Sequence, residues 1–82
     1  MIQSKNEKRF AFDKSGEYRI RVQGSLDESW SDRLGGMRIT KSSNQVTSLV
    51  GVIIDQAALT GVLNTLYELH LTLLSVEHLD DL

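Results

Sequence analysis

Eighty-two residues, with 40% hydrophobic and 24% charged side chains, suffice for one small core and are too apolar for a wholly disordered chain. A net charge of −2 argues against nucleic acid as the main partner, because neutralising phosphates takes a basic surface. The absence of cysteine excludes a disulfide framework and any cysteine-ligated zinc.

The amino-terminal "MIQSKNEKRF" lacks the apolar centre of a signal peptide, and no apolar run approaches the roughly 18–20 residues that span a membrane. The expected location is the cytoplasm. Residues 1–16 read as a mildly basic, loosely docked tail, with Lys5, Lys8, Arg9 and Lys14 against Glu7 and Asp13. Within it Arg9–Phe12 alternates and is followed by a turn-rich stretch. Either an extra strand over residues 9–12 folds back on the next strand, or Phe10 and Phe12 dock the tail onto the body. Residues 17–80 form one domain.

Tyr18–Gly24 is predicted as a strand, with Tyr18, Ile20 and Val22 on one side and Arg19, Arg21 and Gln23 on the other. The following Ser25-Leu26-Asp27-Glu28 fits S-x-x-E, a capping box in which the serine oxygen accepts an orphan N–H and Glu28 bonds back to the serine. On that reading Ser25 starts a short helix, Leu26, Trp30 and Leu34 form its buried stripe, and Gly35-Gly36 ends it. Met37–Ser42 alternates as a second strand, and Ser42–Gln45 is a hairpin turn in which asparagine tolerates positive φ.

Val46–Ile54 is a longer strand, apolar on both parities from Leu49 onward, and so expected in the middle of the sheet. Gly51 within it predicts a bulge or a close backbone approach. Asp55 is the expected N-cap of a long helix whose apolar positions Ala58, Leu59, Val62, Leu63, Leu66 and Leu69 follow the helical period. Gly61 inside that helix suggests close packing. Leu71–Leu79 is the last strand, with Leu74 and Val76 on one side and Ser75 and Glu77 on the other.

This order predicts an α+β, ferredoxin-like βαββαβ two-layer sandwich: an antiparallel sheet with a short first helix and a long second helix on one face. If the first helix is only a wide connection, the alternative is a β-meander plus helix and strand. In either case the uncovered face collects Arg19, Arg21, Arg38, Glu77 and the second apolar row of the third strand, Val50 and Val52. Arginines around an aliphatic centre suit an interface, with Glu77 opposite Arg19 or Arg21. A homodimer is expected, with a larger protein partner as a second occupant. Ser25, Glu28, Trp30 and Asp55 take structural roles, as caps and core.

Signals for chemistry are weak. There is no P-loop and no G-x-G-x-x-G, and His70 and His78 match no metal spacing. His70 instead falls at a helix end, where a cation suits the dipole. Asp27 and Glu28 are the sharpest acid/base pair, but neighbours on a helix point about 100° apart and do not converge on one atom. An RNA-binding sheet would carry stacking aromatics where this strand carries arginines. No cofactor, metal or catalytic residue is expected, and no membrane or nucleic-acid partner.

Two stretches, "YRIRVQGSLDESWSDRLGGMRI" and "VIIDQAALTGVLNTLYELHLTLLSVEHL", resemble a widespread family of short prokaryotic proteins, cyanobacterial ones among them. Its pattern is Y-x-I-x-V-x-G-x-L-D-x-x-W-S followed by a D-Q-A-A-L-x-G-L-L helix, and the resemblance runs from Tyr18 to Leu79. It implies a fold and transfers no activity. The chain departs from the pattern in its longer amino-terminal tail and in lacking a proline near the last strand. A looser similarity is to ACT-type ligand-sensing domains, which share the βαββαβ order, dimerise, and bind amino acids at a glycine-bearing turn after the first strand. Gly24 stands at that place. The expected function is a small non-enzymatic protein-interaction or oligomerisation module. A small-molecule-sensing regulatory domain is the alternative, and an enzyme ranks third.

Overall fold

The computed structural model describes residues 15–41 and 43–79. The residues 9–12, where an extra strand is expected, lie outside them. In chain order the elements are β1 (Gly16–Gln23), a 3₁₀ helix (Glu28–Leu34), β2 (Arg38–Lys41), a 3₁₀ turn (Ser43–Gln45), β3 (Val46–Ile53), α1 (Gln56–Glu68) and β4 (Thr72–His78). The result is an α+β fold, one antiparallel sheet with its helices. The strands run in the order β2-β3-β1-β4, and every neighbouring pair is antiparallel. β1 is therefore interior and has partners on both sides from Tyr18 to Gln23.

The core forms where the helical segments meet one face of this sheet. Tyr18, Ile20 and Val22 of β1, Ile39 of β2, and Leu49 and Ile53 of β3 pack against Leu26, Leu34, Met37, Leu59, Val62 and Leu66. Each such side chain contributes about 1.5–3 kcal/mol by leaving water. Gly51 makes the close approach expected of it: a Cβ there would lie 3.0 Å from the Met37 Cα. It also faces Tyr18 across the β1–β3 register, which leaves room for the fully buried ring.

The first helical segment departs from the capping-box expectation. Ser25 is not the cap, and Glu28 is the first helical residue rather than its third. The chain stays extended through Asp27 (φ −75°, ψ 148°), which lets Leu26 reach the core at 5% exposure. Asp27 is the cap, accepting from the Ser29 amide at 3.2 Å and from the Ser29 hydroxyl. Trp30 is half-buried rather than part of a buried stripe. A 3₁₀ helix has three residues per turn, so positions four apart leave one face while positions three apart eclipse. Arg33 accordingly stands over Trp30, its guanidinium 5.3 Å from the ring centroid. Gly35 and Gly36, at φ 72° and 75°, end the segment as expected.

The hairpin turn carries Asn44 and Gln45 at φ 61° and 63°. It is pinned to the end of β1 by the Gly24 amide donating to the Gln45 carbonyl at 2.7 Å and by the Thr47 hydroxyl donating to the Gly24 carbonyl at 2.6 Å.

Asp55 caps α1 as its position predicts, accepting from the Ala58 amide at 2.8 Å. Leu59, Val62 and Leu66 face the core. Gly61 does not serve close packing: it is exposed, and a Cβ there would meet nothing within 4 Å. The helix ends in a Schellman turn, with the Leu71 amide bonded to Leu66 and the His70 amide to Tyr67. His70 takes the left-handed position, φ 62°, that glycine usually fills.

β4 differs from its predicted alternation. Its register against β1 shifts between Arg21 and Val22, so that Ser75 pairs with Arg21 and Leu73 with Val22 while Leu74 has no partner. The extra residue moves Leu73, rather than Leu74, onto the side of Val22 and Val76.

Candidate functional site

Side chains of directly paired residues share a sheet face, so the register places the expected interface residues. Arg38, Val50, Arg19 and Glu77 are consecutive partners across β2, β3, β1 and β4. With strands about 4.8 Å apart, the row spans about 15 Å. The next row on one side is Thr40, Ser48, Arg21 and Ser75, and on the other side Val52 pairs with Glu17. All six residues predicted for an interface are thus neighbours on the face opposite the helices.

Within the row, Arg19 donates from Nε to Oε1 of Glu77 at 2.7 Å. The two side chains are 35% and 39% exposed, a half-shielded pair. Glu77 therefore serves Arg19 of its own chain, and Arg21 and Arg38 flank the apolar strip of β3. That strip is open: Val52 is 66% exposed and Ile54, just beyond β3, 70%, while Val50 is partly buried between the two arginines in register. Leu74 and Leu79 add exposed apolar surface, at 48% and 36%. The Ser75 hydroxyl, beside Arg21, is buried and meets no hydrogen-bond partner among the described residues.

A second concave surface is not foreseen from the sequence. Between α1 and β4 lies an open groove of ≈ 850 Å³, lined by Leu63, Leu66, Tyr67, His70, Leu71 and Leu73 among others. Tyr67 on its rim is 80% exposed. The helical spacing of Leu63, Leu66 and Tyr67 was a visible signal, but Leu73 faces the groove only because of the shift in β4, which no residue type announces.

The chemistry-bearing residues do not converge. Asp27 is fully exposed, and its carboxyl is held below its ordinary value of 3.8 by the Ser29 hydroxyl and then by the Ser29 amide. Glu28 is exposed beside it. His70 ends α1, whereas His78 lies at the far end of β4, edge-on to Tyr18 with ring centroids 4.9 Å apart and its Nε2 3.3 Å from the Ser15 carbonyl. Among the described residues no three His, Asp or Glu side chains come together as a metal site. Nor, among them, is any helix long and apolar enough to cross a membrane. At Gly24 the space a side chain would need is filled, a Cβ there lying 2.6 Å from the Leu71 Cδ2. Its lack of a side chain is explained by packing.

No curated protein and no solved structure matches this chain. A family does: residues 17–77, nearly the whole described structure from β1 to β4, match the family described as "Domain of unknown function (DUF8691)", and the chain belongs to it.

Proposed function

We propose that this chain is a small, non-enzymatic association module of ferredoxin-like design, which forms a homodimer through the open face of its sheet. The observation that carries the reading is the Arg38–Val50–Arg19–Glu77 row with Val52 and Ile54 exposed beside it. Isolated apolar side chains on a surface are ordinary, but a contiguous strip edged by arginines has the composition of an interface centre and rim. A two-fold contact lets one copy's strip cover the other's and leaves Arg21 and Arg38 at its rim. A larger protein partner would meet the same strip.

Light scattering at micromolar concentration should report about twice the 9.2 kDa chain mass. Val52→Glu should return the mass to one chain with the circular-dichroism spectrum unchanged, because Val52 is mostly exposed in the single copy. A single-chain mass for the unaltered protein would overturn the reading. So would a dimer indifferent to Val52→Glu.

A further inference from the structure

We propose that the hollow between the 3₁₀ helix and the carboxyl-terminal end of α1 binds a small zwitterion, an α-amino acid with an apolar side chain, whose carboxylate meets Arg33 and whose ammonium meets Glu68. This goes beyond the association reading and concerns a different surface, among the helical segments rather than on the open face of the sheet.

Two local periodicities build the walls. Three residues per turn eclipse Trp30 and Arg33 on one side of the 3₁₀ helix. Thr65, Glu68 and Leu69, three and four apart, share a stripe at the end of α1. These five residues line an open hollow of ≈ 420 Å³, a size within the range of small-molecule sites. Trp30 and Leu69 are both half-buried and packed against the core, and they give the hollow its apolar part. The rest of the lining is charged or hydroxylated.

The charges are placed as folding alone would not place them. Arg33 and Glu68 border the same hollow and form no ion pair with each other. The guanidinium lies over the Trp30 ring instead, and among the described residues Glu68 has no ion-pair partner. Glu68 is also the last residue of α1, at the negative end of the helix dipole, where a cation is favoured and a carboxylate is not. Beside it the Thr65 hydroxyl donates to the Gly61 carbonyl at 3.0 Å, which leaves only its lone pairs for another group.

One end of the hollow is thus rich in acceptors and short of donors. An ammonium, with three donors and a positive charge, supplies what is missing there. The facing wall carries a guanidinium, whose planar fork matches a carboxylate. A molecule with both groups on one short skeleton satisfies the two walls together and adds no net charge. Its side chain then meets Trp30 and Leu69, which calls for an apolar one.

Trp30 is the single tryptophan of the chain, so its emission reports on this hollow. Titration of the full chain with L-leucine or L-phenylalanine should change that emission saturably, with a Kd of about 1 mM or below. L-Leucinamide lacks the carboxylate and N-acetyl-L-leucine lacks the ammonium, and each should bind about ten-fold more weakly than L-leucine. Arg33→Gln and Glu68→Gln should each weaken L-leucine by a similar factor. Without ligand, Glu68→Gln should keep or slightly raise the thermal midpoint, because it removes a carboxylate from the negative helix end. Its loss of binding then reports a lost ligand contact and not a damaged fold. Emission that responds saturably to neither amino acid would overturn the proposal. So would N-acetyl-L-leucine binding as tightly as L-leucine, or Glu68→Gln binding as tightly as the unaltered chain. Val52→Glu should bind L-leucine unchanged, which keeps this result apart from the mass measurement on the open-face dimer. Binding lost with Val52→Glu would place the ligand at the contact between chains and overturn the proposal equally.

Discussion

The two connections that cover the sheet reach the same end by different means. Between β3 and β4 the chain makes a 13-residue α-helix that itself presents Leu59, Val62 and Leu66 to the core. Between β1 and β2 it makes a seven-residue 3₁₀ helix that buries only Leu34, with Leu26 before it and Met37 after it supplying the other anchors. The first cover is held along its length and the second by its ends. A helix of 3.6 residues per turn keeps positions three and four apart on one stripe, whereas a three-per-turn helix cannot keep a four-residue spacing buried. Trp30 is the residue left half outside by that mismatch.

The largest effects should separate the two covers. Leu66→Ala leaves a cavity in the middle of the lengthwise contact and is expected to cost about 2–5 kcal/mol. Trp30→Ala should cost less than the roughly 3–5 kcal/mol of a fully buried tryptophan, because the ring is partly in water beside Arg33. Chemical denaturation of both variants measures the difference. A Trp30→Ala loss as large as that of Leu66→Ala would mean that the end-anchored description is wrong.

The caps sharpen the same contrast at a smaller scale. Asp55→Ala removes the oxygen that holds the Ala58 amide and should lose about 1 kcal/mol. Ser25→Ala should stay within about 0.5 kcal/mol, because Ser25 is exposed and precedes the cap. A Ser25→Ala loss equal to that at Asp55 would restore the capping box that the structure replaces.

These residues also mark what could be read in the chain beforehand. Asp55 followed by an apolar 3.6-residue pattern is a local signal that nothing contradicts, and the helix begins where that signal puts it. Arg19 and Glu77 depend only on period-two alternation and on the last strand lying beside the first. The start of the 3₁₀ helix was not legible, because Ser25 and Asp27 are both competent caps. The choice between them is made by Leu26, which must stay extended to enter the core. The β4 shift is tertiary in the same way: two adjacent leucines, Leu73 and Leu74, fit either parity until β1 selects one. The groove beside Leu73 was hidden for that reason.

The end of α1 offers a gain rather than a loss. His70 holds a left-handed backbone at φ 62°, where a Cβ carries a steric cost that glycine escapes. His70→Gly should therefore raise stability by about 0.5–1 kcal/mol, read as a higher denaturation midpoint. A loss would show that the imidazole makes contacts at the groove rim that outweigh the strain.

The smallest effect is a pH dependence confined to the end-anchored segment. The Asp27 carboxyl is held below its ordinary value, first by the Ser29 hydroxyl and then by the Ser29 amide, so the folded state favours the charged form. A carboxyl depressed in this way contributes stability that is present above its unfolded-state pKa and lost as pH falls through the folded-state value. The window is thus the acid limb, at and below about pH 4, where unfolded carboxylates take up protons first. Asp27→Asn keeps an acceptor for Ser29 but has no charge to lose. Thermal midpoints of the two chains should be slightly apart at neutral pH and converge through that window, since protonated aspartate and asparagine offer Ser29 the same kind of carbonyl. A gap that stays constant from neutral pH to the acid limb would mean that the carboxylate charge plays no part in holding the first turn, and that Asp27 acts through its shape alone.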